Sequence, residues 1–309
     1  FGSSRVGSSF AQPVPSVTAW GLGLVSISAP PLEASAMAAP RLGMAGCVAA
    51  LLSLPFSAAA AGGYDLCFGT YSVGGYKCQT PSGEDDTKVF FPCGETAAKA
   101  FPAVLYAHGT GGRGEVDSLE GPIKAVVSMG FIVIAPYTSD DGCDSTTEYL
   151  DLLRAASVSE TTPGLHKALP RVSWDRIGVW GSSMGGKTTP LAVASPSLQS
   201  RVFAMVCAYG ARNSSKVSKT PSMYITGTED QASSPADVMK AEFTSNPSSH
   251  KVFLDLQGVG HMGNFMDEWL AKFIACHVGE QDTCGDIYGG DHAICGAASY
   301  AKDGCLVEP

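Results

Sequence analysis

The chain has 309 residues, with 20 basic and 29 acidic side chains and a formal net charge of −9. That length allows one large α/β domain or two small ones. Its Lys and Arg residues are scattered instead of forming a basic stripe, so nucleic acid is disfavoured as a partner, and the acidity suits a secreted protein in solution.

Residues 1–36 are rich in Ser, Pro, Ala and Gly, show no periodicity, and are read as an unstructured or untranslated leader. Met37 opens "MAAPRLGMAGCVAALLSLPFSAAAAGG", with Arg41, an apolar run from Leu42 to Phe56, and small residues up to Ala61. This order predicts a signal peptide over 37–61, and hence an extracellular protein. The run is shorter than the roughly 20 residues a spanning helix needs, so no integral membrane span is expected; a buried core helix or an uncleaved anchor is the competing reading.

Nine cysteines follow residue 61. Cys207 lies inside "VFAMVCAYG" and reads as a buried free thiol. The other eight are an even number, consistent with disulfides in an oxidising compartment. Their connectivity is not deducible, but neighbours are expected to pair: Cys67 with Cys78, and the last four among themselves. No C-x-x-C occurs among the tail cysteines, so no metal site is expected. Asn213-Ser214-Ser215 is a glycosylation sequon for a eukaryotic secretory route.

Beyond Gly62, short apolar runs predict strands at Val89–Pro92, Ala103–Ala107, Phe131–Ala135, Ile177–Trp180, Val202–Ala208, Met223–Thr226 and Val252–Leu256. Several are continuous rather than alternating, which suits parallel strands covered on both faces. Helices are expected near 117–128, 146–156, 184–194, 236–244 and 265–275. The last carries Phe265, Trp269, Leu270, Phe273 and Ile274 on one face, with Asn264 as N-cap. The alternation predicts an α/β domain over 62–275 with a doubly wound, mostly parallel sheet. Residues 276–309 lack periodicity and read as a Cys-rich tail packed on that domain.

"GVWGSSMGGKT" supplies the chemistry. Gly181-Ser182-Ser183-Met184-Gly185 fits G-x-S-x-G, and Ser183 stands between a predicted strand and a predicted helix, as a nucleophile elbow requires. A serine hydroxyl needs a base. His261, in "DLQGVGHMGNF", follows the last predicted strand, whereas His250 precedes that strand and His277 and His292 lie in the tail. The orienting acid is expected after the strand Met223–Thr226, where Asp230 is preferred to Glu229; Asp255, within a strand, is a weaker choice. Backbone N–H groups of Met184 and of Thr110, in the turn His108-Gly109-Thr110-Gly111-Gly112, are the expected oxyanion donors. Gly109, Gly111 and Gly114 also spell G-x-G-x-x-G, with Asp140 beyond, but a dinucleotide reading leaves the Ser–Asp–His order unexplained; no cofactor is expected.

The strings "KVFFPCGETAAKAFPAVLYAHGTGG", "MGFIVIAPYTSDD", "DRIGVWGSSMGGKTT", "MYITGTEDQASSP" and "LQGVGHMGNF" resemble the dienelactone-hydrolase-like branch of the α/β-hydrolases. Bacterial cutinases, poly(ethylene terephthalate) hydrolases and chlorophyllase-type esterases are the most similar groups, over about residues 86–275. The resemblance implies an α/β-hydrolase fold, with Ser183 as nucleophile, His261 as base, Asp230 as its orienter, and Thr110 and Met184 as oxyanion donors. It also implies an ester substrate and a role for Tyr209 as an aromatic that clamps it. Thr110 stands where those hydrolases usually carry an aromatic residue, and Ser182 where histidine or tryptophan is common.

Only about a dozen residues, Gly210 to Pro221, join two successive predicted strands, too few for a folded lid. The resulting expectation is a secreted, monomeric serine carboxylesterase acting through an acyl-enzyme. A hydrolase-fold binding protein without turnover is the alternative, since a fold does not decide function.

Overall fold

The computed structural model describes residues 63–71, 87–95, 99–136, 171–210, 219–232, 235–279, 281–290, 294–297 and 300–309. The leader, the signal peptide, the helix expected at 146–156, Cys78, Asp140, Cys143, the sequon at Asn213 and most of the short crossing after Gly210 lie outside them.

Among the described residues, nine strands form one sheet: β1 (Leu66–Tyr71), β2 (Thr87–Pro92), β3 (Ala100–Ala107), β4 (Ile132–Pro136), β5 (Arg171–Ser182), β6 (Val202–Ala208), β7 (Ser222–Gly227), β8 (Lys251–Leu256) and β9 (Tyr300–Glu308). Their spatial order is β1-β2-β4-β3-β5-β6-β7-β8-β9. From β4 to β8 all neighbours run parallel, whereas β1, β2 and β9 join antiparallel at the two edges. All seven expected strands are present, six of them within three residues of their expected limits, whereas β5 starts at Arg171, six residues before the expected Ile177.

Side chains on β3 alternate between two cores: Val104 and Tyr106 enter one, Ala103, Leu105 and Ala107 the other. The first core also takes Ile123, Val126 and Val127 from helix α2 (Glu120–Ser128) and Leu270, Phe273 and Ile274 from helix α5 (Asp267–His277). The second takes Ala192 and Val193 from helix α3 (Met184–Val193) and Met239 and Phe243 from helix α4 (Ala236–Ser245). The parallel strands are buried on both faces, which is why they read as unbroken apolar runs.

Four expectations need correction. The single helix at 117–128 is two, α1 (Gly112–Ser118) and α2, broken at Leu119. Pro122 explains the break: it lacks an N–H, which only the first turn of a helix can do without, so a helix restarts just before it. Asn264 is not the N-cap of α5; Met266 holds that place in a left-handed conformation, and Asn264 Oδ1 instead accepts the Met266 N–H at 2.8 Å. Cys67 bonds Cys93, not Cys78, because the β1–β2 register sets Cys67 opposite Phe91, close to the end of β2.

The tail, finally, is not irregular. It forms α6 (Cys284–Tyr288), α7 (Ile294–Ala297) and β9, which pairs with β8. Its cysteines do pair among themselves, Cys276 with Cys284 and Cys295 with Cys305. Cys207 is a free, buried thiol beside Thr189 Oγ1 at 2.8 Å, and burial pushes its pKa up to about 12. Among the described residues no helix is long and apolar enough to cross a membrane.

Candidate active site

Ser183 lies between β5 and α3 with φ 53° and ψ −117°, a positive-φ backbone that costs a non-glycine residue about 1–3 kcal/mol. The flanking glycines make the turn feasible. A methyl built on Gly185 would stand 1.9 Å from the Ala107 carbonyl oxygen, and one on Gly181 2.4 Å from that of Gly185. Helix α3 thus starts hard against β3. Its Pro190 cannot bond the Gly186 carbonyl, and Thr189 Oγ1 donates to that oxygen instead, at 2.9 Å.

His261 Nε2 is 3.0 Å from Ser183 Oγ, and its Nδ1 is 3.0 Å from Asp230 Oδ1. Asp230 is 2 % exposed, and its Oδ1 also accepts the Ala232 N–H at 2.9 Å. A carboxylate in this position fixes both the tautomer and the tilt of an imidazole. Glu229, the neighbouring candidate, is exposed; Asp255 sits within β8 in register with Thr226, where burial raises its pKa. Three sites far apart along the chain therefore meet at the carboxyl ends of β5, β7 and β8, the rim where open parallel sheets place their chemistry.

Hydrogen bonds stitch the acid and histidine loops together. The Glu229 N–H donates to the Val259 carbonyl at 3.0 Å, the Thr228 N–H to that of Leu256 at 3.0 Å, and the Gly258 N–H to Thr228 Oγ1 at 2.9 Å. Tyr209 braces the far side. Expected as a substrate clamp, it is fully buried, with its ring edge-on to His261 at 5.8 Å. Its hydroxyl donates to the Asn264 carbonyl and accepts the Asn264 N–H at 2.9 Å, and burial raises its pKa to about 12. A ring with no exposed surface cannot stack on a substrate, so Tyr209 supports the histidine loop from within. Sequence reading missed this because chain position does not reveal which way a ring turns.

The glycine turn after β3 lies against the elbow: a methyl on Gly109 would come within 2.9 Å of Ser183 Cβ. Thr110 is exposed in that turn, and Met184 opens α3, so its N–H is one of the four a helix leaves without an internal partner. The turn wraps round the Glu115 side chain, whose Oε1 accepts the Gly109 N–H at 2.7 Å. A carboxylate there is a poor neighbour for a pyrophosphate, which counts against the dinucleotide reading. Among the described residues no three His, Cys, Asp or Glu side chains are grouped to hold a metal ion.

A mixed sheet with helices packed on it, carrying a serine on the turn after a central strand, fits the α/β-hydrolase fold. Within that class the chain belongs to the PET hydrolase-like family, whose model matches residues 60–279. Membership makes it an ester hydrolase by family. No curated protein matches the chain.

Proposed function

We propose that the protein is a secreted serine carboxylesterase working through an acyl-enzyme, with Ser183 as nucleophile, His261 as general base and acid, and Asp230 as the group that orients it. One observation carries this reading: the imidazole of His261 bridges Ser183 Oγ and Asp230 Oδ1 at 3.0 Å on each side. Ser183 Oγ attacks the ester carbonyl carbon while its proton passes to His261 Nε2. The resulting oxyanion is held by the N–H groups of Met184 and Thr110, each donor contributing roughly 3 kcal/mol. The C–O bond of the ester then breaks, and the departing alkoxide takes the proton from Nε2. Water, deprotonated by the same nitrogen, attacks the acyl carbon; the C–O bond to Ser183 breaks, Oγ takes back the proton from Nε2, and the acid is released. The described disulfides support an oxidising, extracellular destination.

The family match supports esters as the substrate class, polyesters among them. A fluorophosphonate probe tests the nucleophile. Stoichiometric labelling that disappears in Ser183→Ala is the expected result; an unlabelled wild type points instead to a binding protein. Aryl esters from acetate to palmitate, run beside a polyester film, then define the acyl range.

A further inference from the structure

Behind the proposed oxyanion turn lies a buried carboxylate with no role in the mechanism above. Glu115, on α1, is 9 % exposed, and its Oε1 collects three donors. These are the Gly109 N–H at 2.7 Å, the Tyr106 hydroxyl at 2.7 Å and the Ser182 hydroxyl. Tyr106 and Ser182 also touch each other, with 2.5 Å between their oxygens. Each partner belongs to a different part of the site: Tyr106 to β3, Gly109 to the turn, and Ser182 to the end of β5, one residue before Ser183.

Burying a carboxylate is unfavourable unless its hydrogen bonds are complete, and an apolar residue would fill a core position more cheaply. What this one does is hold the Gly109 N–H, and with it the plane of the His108–Gly109 peptide. His108 fixes the next plane, that of the Gly109–Thr110 peptide: its Nδ1–H donates to the Gly109 carbonyl at 2.5 Å, and burial holds the His108 pKa below its usual range. The Gly109–Thr110 peptide is planar and trans, so the Thr110 N–H points opposite to the Gly109 carbonyl. Anchoring the Gly109 N–H and carbonyl therefore sets the direction of the Thr110 N–H. The Gly109 N–H, committed to Glu115, is not offered to a substrate.

We propose that Glu115 is a positioning residue that locks the oxyanion turn to the nucleophile elbow, aiming the Thr110 N–H at the charge that develops beside Ser183. This rests on the triad reading above. Ser182 stands where similar hydrolases commonly carry a large ring, and the contact between Ser182 and Glu115 gives that departure a purpose: a small hydroxyl leaves room for the carboxylate and bonds to it.

The test compares wild type, Glu115→Ala and Glu115→Gln on a p-nitrophenyl ester, with active sites counted by fluorophosphonate labelling taken to completion. Counting sites separates a folding loss from a catalytic one. Glu115→Ala should lower kcat per labelled site by about 100-fold, the size expected when an oxyanion donor is misaimed, with KM changed by less than about threefold. Glu115→Gln, which keeps an oxygen for the Gly109 N–H, should recover to within about tenfold of wild type yet stay measurably below it. A labelled, active wild type with either variant equally fast per site overturns the role of Glu115 alone. If Glu115→Ala does not fold, the deficit of Glu115→Gln decides by itself. A wild type that fails to label overturns the triad, and the role of Glu115 with it.

Discussion

Ser183 is held at φ 53° by contacts that leave the turn no slack, and Gly185 is the tightest of them. Gly185→Ala would drive a methyl to 1.9 Å from the Ala107 carbonyl oxygen, a backbone atom that moves only if β3 moves. The expected outcome is a loss of about 3 kcal/mol or more in urea unfolding, together with loss of esterase activity. Wild-type stability would mean that α3 does not start against β3. Tyr209 offers a gentler probe of the same region. Tyr209→Phe keeps the buried ring but leaves the Asn264 N–H and carbonyl without the hydroxyl. Two backbone groups then lose their partner, which should lower stability by about 1–3 kcal/mol and reduce kcat by loosening the histidine loop. An unchanged urea midpoint would show that the hydroxyl is dispensable.

At the scale of elements, β9 is held by covalent chemistry as well as by pairing. It pairs with β8 along the sheet edge, and the Cys295–Cys305 bond, with a sequence separation of 10, ties α7 to the middle of β9. A closed loop of that length constrains the unfolded chain by about 2–3 kcal/mol. Replacing both cysteines with alanine should lower the unfolding free energy by that amount while kcat stays near wild type, because β9 pairs with β8 and adds no side chain to the cluster of Ser183, Asp230 and His261. A large fall in kcat with little change in stability would place the tail in the catalytic machinery instead.

At the scale of the whole molecule, stability should depend on pH through His277. Its ring, at the end of α5, shares a 2.7 Å hydrogen bond with the Tyr288 hydroxyl, faces His250 edge-on at 5.9 Å, and lies where Arg176 donates to its carbonyl. Burial, helped by His250 and Arg176, lowers its pKa to about 4 from 6.5. Between those two values the unfolded chain binds the proton and the folded one does not. Stability therefore rises with pH across that window, and is lost progressively as pH falls from about 6.5 to about 4, by up to about 3 kcal/mol. Thermal melts across this range should show the slope, and His277→Phe should flatten it. A variant with the wild-type slope would assign the acid sensitivity elsewhere.

The parallel strands β3 to β8 were legible in the sequence because burial on two faces forces unbroken apolar runs, and the elbow was legible because its glycines are a steric requirement at fixed spacing. Ser183, Asp230 and His261 could be nominated for a similar reason: each follows a recognisable strand, and strand ends share one rim. Contacts between distant segments were not legible. Nothing local in "SYAKDGCLVE" announces a strand, since β9 exists by pairing with β8. The Cys67–Cys93 bond depends on the β1–β2 register, and the inward turn of Tyr209 depends on Asn264, which lies 55 residues away. Glu115, just outside the helix expected at 117–128, gave no sign of a role until the fold buried it against Gly109 and Ser182. Periodicity and steric necessity are written residue by residue. Which buried polar group meets which is decided only when the sheet brings their segments together, since a hydrogen bond depends on positions that no stretch of chain fixes alone.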